Sequence, residues 1–371
     1  MTAKKPDKRG REKRRRQIFL AVGAVISLLI LAIFMDLLLN SFMLFNREGD
    51  QSLPLPQTEL YRNQGLPPGK VLETYPYKVT REHVFFLDRI LERYPQEADA
   101  SLEVVSLLNQ IYSQVPSGVG KYYMAIPLRI AYENGMEAYD PDQKIAYGTI
   151  QAALSDNAVF LDTWTALESH KQEYIYFRSE DTWTALGAFY GASVLAKATN
   201  RLMPELKDYE EHLYISFEGS LVDDSGSLGL AEEYYDRLYF YIHPDGANSE
   251  ILFQRQEESV IQLEAPTIAK SRGELTAFVG GVFSHSIIKG DLIGGGTLVI
   301  VGDTNANILA PWLSALYEEI YVINQRYYLG GPEGFRRIFQ EHNVRDLLIV
   351  EGMDTMADKD SLSWLRKLGP E

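Results

Sequence analysis

Cysteine does not occur in this chain of 371 residues. Its absence excludes disulfide bonds, thiolate nucleophiles and zinc sites with cysteine ligands. A domain without cross-links must rely on its hydrophobic core, and roughly 300 residues are enough to bury one. We therefore expect a domain stabilised by its core, and we predict neither a metal centre nor a cofactor.

Beyond the N-terminal residues, positively charged side chains are outnumbered by negatively charged ones. The first sixteen residues carry nine Lys or Arg against Asp7 and Glu12, a net charge of +7, whereas the whole chain carries −15. The rest of the chain therefore carries −22. This charge argues against nucleic acid or anionic lipid as its main partner, and we predict no nucleic-acid partner.

Long apolar runs are also missing, with one exception. Residues 17–35 contain no charged side chain and are rich in Leu, Ile, Val and Ala. A helix of this length matches the hydrocarbon core of a bilayer, so we predict a transmembrane helix over residues 17–40. The basic tail of residues 1–16 predicts a cytoplasmic N-terminus, and hence a single-pass protein of the cell membrane with an extracellular main domain. A cleaved signal peptide is the alternative, although no A-x-A cleavage pattern follows the run.

Proline marks the segment after this predicted helix. Five prolines lie between residues 46 and 76, separated by short polar runs. This composition is typical of an extended linker. We therefore predict a stalk over residues 41–77 and an extracytoplasmic domain over residues 78–371.

Helical patterns begin the predicted domain, and short apolar runs then alternate with further helical patterns. The predicted strands cover residues 122–127, 158–161, 174–177, 298–301, 320–323 and 347–350. The predicted helices cover residues 79–94, 98–115, 142–154, 184–199, 305–318 and 333–342. Such alternation predicts the α/β class, with a mostly parallel sheet flanked by helices.

The middle of the domain lacks the helical pattern. Between residues 209 and 290, aromatic and β-branched pieces are separated by polar loops. These pieces cover residues 213–217, 238–242, 251–253 and 275–279. We predict an antiparallel, β-rich middle segment here.

The first segment with chemical character is Gly302-Asp303-Thr304-Asn305, which lies directly after a predicted strand and directly before a predicted helix. Such a turn exposes a hydroxyl at the carboxyl edge of the sheet. The helix N-terminus supplies backbone N–H groups and a positive dipole end there, as an oxyanion requires. The alternative is that Asp303 or Thr304 only caps the helix.

The second segment is Glu180-Asp181-Thr182-Trp183, which follows a predicted strand and precedes a helix that begins near Thr184. Its two carboxylates could serve a catalytic site. The alternative is that they interact with the helix dipole and that Trp183 is a packing anchor.

Three stretches together resemble the DHHW proteins of Gram-positive bacteria, which are related to the periplasmic alginate O-acetylation proteins with an SGNH-hydrolase-like fold. Residues 174–190 resemble the strand, the D-H-H-W-T motif and the L-G-A helix of that family. The run Phe278-Val-Gly-Gly281 resembles its Gly-Gly strand end, and residues 298–328 resemble its G-D-S block. The resemblance extends from about residue 70 to the C-terminus and implies an SGNH-hydrolase-like α/β fold.

In catalytically competent members of that family, the G-D-S serine is the nucleophile, and the D-H-H or D-x-H segment supplies the acid and the histidine. In this chain the motif reads Glu180-Asp181-Thr182 before the tryptophan, and Thr304 replaces the serine after Asp303. A hydroxyl nucleophile needs an adjacent general base, and histidine has the pKa that suits this role at neutral pH. The resemblance therefore implies that these five catalytic positions are degenerate.

The resemblance also implies an oxyanion or substrate-binding set, formed by Gly280, Gly281, Asn305, Trp183 and Arg326. The chain contains six histidines, and only His285 lies in a segment expected near the site. His285, or the carboxylate of Glu180 or Asp181, is the alternative base for Thr304.

The function implied by the resemblance is work on cell-surface polysaccharide, often beside a membrane-bound O-acyltransferase. Because the catalytic positions are degenerate, we expect a binding or accessory component of O-acetylation machinery. Two alternatives stay open: an active O-acetyltransferase or acetylesterase that uses Thr304, and a structural partner of another membrane protein. Activity requires a base near Thr304, sugar binding requires a groove with exposed aromatic side chains, and a scaffold requires a broad apolar patch.

Overall fold

The computed structural model describes most of the predicted extracytoplasmic domain. The described residues are 53–54, 74–76, 78–95, 100–154, 156, 158–224, 235–243, 250–254, 260–264, 267–268, 274–279, 281 and 283–370. The predicted basic tail and transmembrane helix lie outside the described residues, as does nearly all of the predicted stalk. In the part of the chain that is described, no helix is both long enough and apolar enough to cross a membrane.

The strands and helices follow the chain in mixed order. The strands are β1 (Leu53–Pro54), β2 (Lys78–Val79), β3 (His83–Phe85), β4 (Ile90–Glu92), β5 (Gly120–Ile126), β6 (Val159–Leu161), β7 (Glu210–Phe217), β8 (Asp236–Ile242), β9 (Glu250–Gln254), β10 (Val260–Glu264), β11 (His285–Lys289), β12 (Thr297–Gly302), β13 (Glu319–Asn324) and β14 (Val344–Gly352). The α-helices are α1 (Ser101–Ser113), α2 (Gln143–Ala153), α3 (Thr163–Glu168), α4 (Ala185–Ala198), α5 (Leu221–Asp224), α6 (Thr304–Leu313), α7 (Gly331–Glu341), α8 (Met353–Ala357) and α9 (Lys359–Arg366).

Six strands form the central sheet, in the order β11-β13-β12-β14-β5-β6. All neighbouring pairs are parallel except β11 and β13, which are antiparallel. The inner strands β12, β13 and β14 contain mainly buried Leu, Ile and Val, as is typical of strands covered on both faces. The prediction of an α/β fold with a mostly parallel sheet is therefore confirmed.

The middle segment is mainly antiparallel, as predicted. β7 pairs with β8, and β9 pairs with β10. The predicted strand over residues 275–279 is wrong, because Leu275–Ala277 form a turn of 3-10 helix. Val279 then has a φ of 53°, in the left-handed region that no strand residue adopts.

The predicted helix over residues 79–94 is also wrong, because this segment forms the small antiparallel sheet of β2, β3 and β4. Its apolar residues serve two separate cores. Val84 and Leu91 belong to the main core, whereas Phe85 and Ile90 pack in a second cluster with Leu221. Successive residues that point to opposite sides are characteristic of a strand, so the helical spacing was misleading.

Residues 174–177 were predicted as a strand but form only a single bridge, between Tyr176 and Trp183. Within residues 78–371, the remaining predicted strands and helices each overlap an observed element of the same type. The helices α3, α5, α8 and α9 and the strands β1, β10 and β11 were not predicted.

Candidate functional site

Three neighbouring strands of the central sheet end side by side. Gly302 ends β12, Asn324 ends β13 and Gly352 ends β14, and β12 is parallel to both of its neighbours. The carboxyl ends of parallel strands are where ligands of α/β proteins commonly bind. A cavity of about 260 Å³ lies at this edge. Its lining residues are Asp181, Thr182, Asp303, Thr304, Asn305, Asn324, Gln325, Arg326, Tyr327, Asp354, Thr355, Ser361 and Trp364.

Asp303 fastens the turn between β12 and α6. Its Oδ1 atom accepts a hydrogen bond of 2.8 Å from the backbone N–H of Asn305, so Asp303 caps α6. Its Oδ2 atom accepts hydrogen bonds from the Gly352 N–H at 2.9 Å and the Thr355 hydroxyl at 3.0 Å. Burial raises the pKa of the Asp303 carboxyl, although these hydrogen bonds oppose the rise. Asp303 therefore joins the ends of β12 and β14 in addition to capping the helix.

Gly302 allows this turn to pass close to β14. A Cβ atom at Gly302 would lie 2.3 Å from the carbonyl oxygen of Val350 and 2.9 Å from the Cβ of Ala306. Any side chain would push the turn away from its neighbours. The glycine of the Gly302-Asp303-Thr304-Asn305 segment is therefore a packing requirement.

Thr304 is the first residue of α6, and its half-buried side chain lines the cavity. No histidine among the described residues lines the same cavity. The carboxylates that do so belong to Asp181, Asp303 and Asp354, of which Asp303 already accepts three hydrogen bonds. Asp181 and Asp354 are therefore the two other carboxylates in this cavity that could act as a base for Thr304.

Trp183 connects the acidic turn to the start of α6. It is fully buried, and its indole N–H donates a hydrogen bond of 3.3 Å to the backbone carbonyl of Asn305. Its backbone N–H lies 3.4 Å from the Asn305 Oδ1 atom. Gly191 in α4 makes room for the ring, since a Cβ there would lie 2.6 Å from the Trp183 Cη2 atom. The tryptophan thus holds the two chemically interesting segments against each other.

Glu180 faces a different part of the chain. Its two carboxylate oxygens accept hydrogen bonds from the backbone N–H of Ser220, at 2.8 Å, and from the Ser220 hydroxyl, at 3.0 Å. Glu180 is not among the residues that line the cavity. Its carboxylate therefore orders the chain before α5.

Asp181 and Thr182, in contrast, line the cavity. Carboxylate oxygens of Asp181, Asp354 and Glu92 lie within 4.8 Å of one another, an arrangement that could hold a metal ion. Burial raises the pKa of Asp181 well above its ordinary value, and the nearby carboxylates of Glu180, Asp354 and Glu92 raise it further. The pKa of Asp354 is raised to about 6, first by burial and then by the charge of Asp303. Three aspartates, Asp181, Asp303 and Asp354, therefore line the cavity, and Glu92 lies beside two of them.

Asp236, at the start of β8, holds the backbone directly before Glu180 and Asp181. It is completely buried, and its carboxylate accepts hydrogen bonds from the backbone N–H groups of Arg178, at 2.8 Å, and Ser179, at 2.7 Å. It also accepts hydrogen bonds from the hydroxyls of Ser179 and Tyr174. Sequence reasoning missed this residue, and an aspartate inside an aromatic β-strand pattern was its only signal.

Aromatic and amide side chains form a further part of the cavity lining, called here the aromatic and amide wall. Asn324, Gln325, Arg326 and Tyr327 follow β13, and Trp364 belongs to α9. The guanidinium of Arg326 lies 5.0 Å from the centre of the Trp364 ring and 5.3 Å from that of Tyr327, within cation–π range. Of these residues only Arg326 was predicted. The capping Asp358 and the spacing of Leu362 and Leu365 could have indicated α9 and thereby Trp364.

Gly281 contacts α6 but does not line the cavity. Gly281 has a φ of 116°, which favours glycine, and its carbonyl accepts a hydrogen bond of 3.2 Å from the Asn307 side chain. Gly280 lies outside the described residues. His285 stacks on Tyr321 with ring centres 4.9 Å apart and does not line the cavity. Burial lowers the pKa of His285 to about 4.

Comparison with known proteins is consistent with this architecture. The family model of the DHHW protein matches residues 83–323. A DHHW family protein from Eubacterium siraeum is 21% identical, with a TM-score of 0.65 over 78% of this chain and 98% of that chain. Bacillus cereus PatB1, solved with a sulfonyl adduct, is 12% identical, with a TM-score of 0.59 over 75% of this chain and 96% of that chain. No curated protein matches the chain.

Proposed function

The chain belongs to the DHHW protein family, and on that premise we propose that it acts in cell-surface polysaccharide modification as a binding or accessory component. One observation carries this proposal. The cavity at the sheet edge combines a threonine hydroxyl, without histidine among the described lining residues, with a wall of aromatic and amide side chains. The first feature argues against the serine chemistry of the family, and the second supports the binding of a sugar.

No histidine among the described residues lines the cavity with Thr304, so the usual general base of a hydroxyl nucleophile is missing there. Thr182 stands where the family resemblance places the histidine, and a threonine hydroxyl does not accept a proton at neutral pH. In serine proteases, removal of a triad member leaves about 10³ to 10⁴-fold catalysis over water, from the oxyanion hole and binding. We therefore expect at most slow acetyl release.

The aromatic wall suits a carbohydrate. Trp364 and Tyr327 line the cavity, and Tyr327 is 46% exposed. The C–H faces of a pyranose ring pack on such apolar rings, while polar lining groups such as the Asn324 amide bond to its hydroxyls. A site with apolar faces and a few placed polar groups both binds and orients a small ligand.

A second candidate function is acetyl transfer or acetyl ester hydrolysis with Thr304 as nucleophile and a carboxylate as base. Asp181 and Thr304 line the same cavity. The raised pKa of Asp181 makes its carboxylate a stronger base than an exposed aspartate. This observation favours activity, and the experiment below distinguishes the two candidates.

Acetyl release from p-nitrophenyl acetate and from an acetylated glycan is the deciding measurement. The full chain in detergent is compared with Thr304→Ala and with the double variant Thr182→His/Thr304→Ser, which restores the family's second histidine and its serine. We expect equally slow release by the wild type and Thr304→Ala, and release at least about tenfold faster by the double variant. Wild-type turnover that Thr304→Ala abolishes would establish the second candidate and overturn the first.

Glycan binding tests the other half of the proposal. We expect Trp364→Ala to weaken binding of a cell-wall polysaccharide at least about tenfold, because it removes the largest aromatic face of the cavity. Tyr75→Ala is the matched control, since Tyr75 is 84% exposed and does not line the cavity. Equal affinity of the wild type and Trp364→Ala would contradict a sugar site here.

We also propose that the predicted helix of residues 17–40 anchors the chain in the cell membrane, with the domain outside and a membrane-bound O-acyltransferase as partner. The apolar run and the basic tail before it support this orientation. In cells stripped of their wall, added protease should remove a C-terminal tag and spare an N-terminal one. The reverse pattern would overturn the orientation.

A further inference from the structure

We infer that Glu92, Asp181 and Asp354 form a binding site for a hard divalent cation, with Ca²⁺ as the expected ion, beside the cavity that Asp181 and Asp354 line. Nothing in the proposed function requires such an ion. The three residues come from separate parts of the chain: the end of β4, the turn before α4, and α8. A bound cation would therefore tie these three segments together.

The spacing of the three carboxylates fits one ion. Their oxygens all lie within 4.8 Å of one another. Ca²⁺ binds oxygen at about 2.3–2.6 Å, so two ligand atoms on opposite sides of the ion lie about 4.6–5.2 Å apart. One cation can therefore contact all three carboxylates without movement of the backbone.

Two further oxygen atoms at the same cavity make no hydrogen bond within the described part of the chain. One is the hydroxyl of Thr182, the residue after Asp181, which lines the cavity. The hydroxyl is buried, and Thr182 as a whole is only 4% exposed. The Oε1 atom of Gln325 is equally without a partner, and this residue is 1% exposed. Buried polar atoms are normally satisfied, so two such oxygens in one cavity indicate a ligand that both can reach. Hydroxyl and amide oxygens are accepted by Ca²⁺, directly or through its bound waters.

The charge of the cluster also requires compensation. Neither Asp181 nor Asp354 forms an ion pair with a described residue, and Glu180 and Asp303 add further negative charge nearby. Like charges held together in a partly buried site repel one another and favour protonation. A divalent cation removes this repulsion while the carboxylates stay ionised, because its charge replaces that of the protons.

The donor atoms select the kind of ion. Every candidate ligand is an oxygen, and no histidine among the described residues lines the cavity. Oxygen-only sets suit Ca²⁺, Mg²⁺ and Mn²⁺, whereas zinc and copper prefer nitrogen or sulfur. Ca²⁺ accepts varied arrangements of oxygen ligands, whereas Mg²⁺ demands near-ideal octahedral geometry, so three carboxylates from separate segments favour Ca²⁺.

Calorimetric titration of the full, EDTA-treated chain in detergent with CaCl2 tests the site, with MgCl2 and MnCl2 in parallel. We expect one ion per chain, and a Tm increase of about 4 °C when Ca²⁺ exceeds its Kd by 100-fold. Glu92→Gln and Asp354→Asn should each weaken binding at least tenfold. Because Asp354→Asn removes repulsion, it should not lower the Tm of the ion-free protein, which checks that this variant folds.

Glu137→Gln and Asp156→Asn are the matched controls, since both residues are exposed and lie outside the cluster. They should bind Ca²⁺ like the wild type. No saturable binding of any of the three ions by the wild type, or unchanged affinity in both cluster variants, would overturn the proposal. No glycan is present in this titration, so its outcome is independent of the proposed sugar site.

Discussion

The indole N–H of Trp183 donates a hydrogen bond to the backbone carbonyl of Asn305 at 3.3 Å, although 122 positions separate the two residues in the chain. We expect Trp183→Phe to lower the free energy of unfolding by about 2 kcal/mol, because it removes this bond and leaves space beside a fully buried ring. Urea unfolding in detergent measures the change.

Trp164→Phe is the control for this substitution. Trp164 is nearly as well buried, at 9% exposure, but its indole N–H makes no hydrogen bond to a described residue. Its replacement should therefore cost clearly less stability. Equal losses in the two variants would show that the bond to Asn305 adds nothing beyond ring packing.

Asp303 has more partners than a simple helix cap. We expect Asp303→Ala to lower the free energy of unfolding by about 2–4 kcal/mol, because the cap of α6 and the bonds to Gly352 and Thr355 are lost together. Asp162→Ala is the comparison, since Asp162 caps α3 through a single bond of 3.0 Å to the Thr165 N–H. That variant should lose about 1 kcal/mol. Similar losses at both sites would contradict the tethering role of Asp303.

Two helical glycines should respond in opposite directions to replacement by alanine. Gly191→Ala places a Cβ atom 2.6 Å from the Trp183 ring, so we expect a loss of about 1–3 kcal/mol from overpacking. Gly148 in α2 has no atom within 4 Å of the added Cβ. Gly148→Ala should therefore raise stability by about 0.5–1 kcal/mol, through helix propensity and the unfolded state. Thermal unfolding of the two variants checks the signs, and destabilisation by Gly148→Ala would contradict the prediction.

His285 should make stability depend on pH. Its pKa is lowered from 6.5 to about 4, first by burial and then by the charge of His342. A lowered folded-state pKa contributes stability above pH 6.5, and this contribution is lost as pH falls from 6.5 towards 4. We expect the wild type to lose about 2 kcal/mol more than His285→Phe between pH 7 and pH 4.

Phenylalanine keeps the stacking of this side chain on Tyr321 but cannot be protonated. Carboxylates that titrate in the same range are common to both proteins, so they cancel in the difference. Parallel curves of unfolding free energy against pH would show that His285 is not kept neutral by burial.

Local sequence patterns predicted the central sheet well, because strands such as β12 are short apolar runs bounded by turn residues and covered on both faces. They failed for residues 79–94, where Val84 and Phe85 belong to different cores. A helical spacing of apolar residues cannot reveal that two cores exist. They failed again at Val279, whose φ of 53° lies in the left-handed region, which a branched side chain rarely adopts.

The candidate site was likewise predicted only in part. The sequence placed Asp303, Thr304, Asp181 and Thr182 at the starts of helices, and the structure brings these four residues to one cavity. Glu180 was placed with them, but its carboxylate bonds to Ser220 instead. Which way a side chain of a turn points depends on the segment packed against it.

The sequence by itself determined the α/β alternation and the two polar turns that precede helices, at residues 180–183 and at residues 302–305. These features depend on residues adjacent in the chain. Only the tertiary structure decided that Glu92 and Asp354 join Asp181, that Asp236 supports the acidic turn, and that Trp364 lines the cavity. Those contacts join distant segments. They exist only because the packing of the sheet and its flanking elements brings strand ends, helix starts and loops to a common edge.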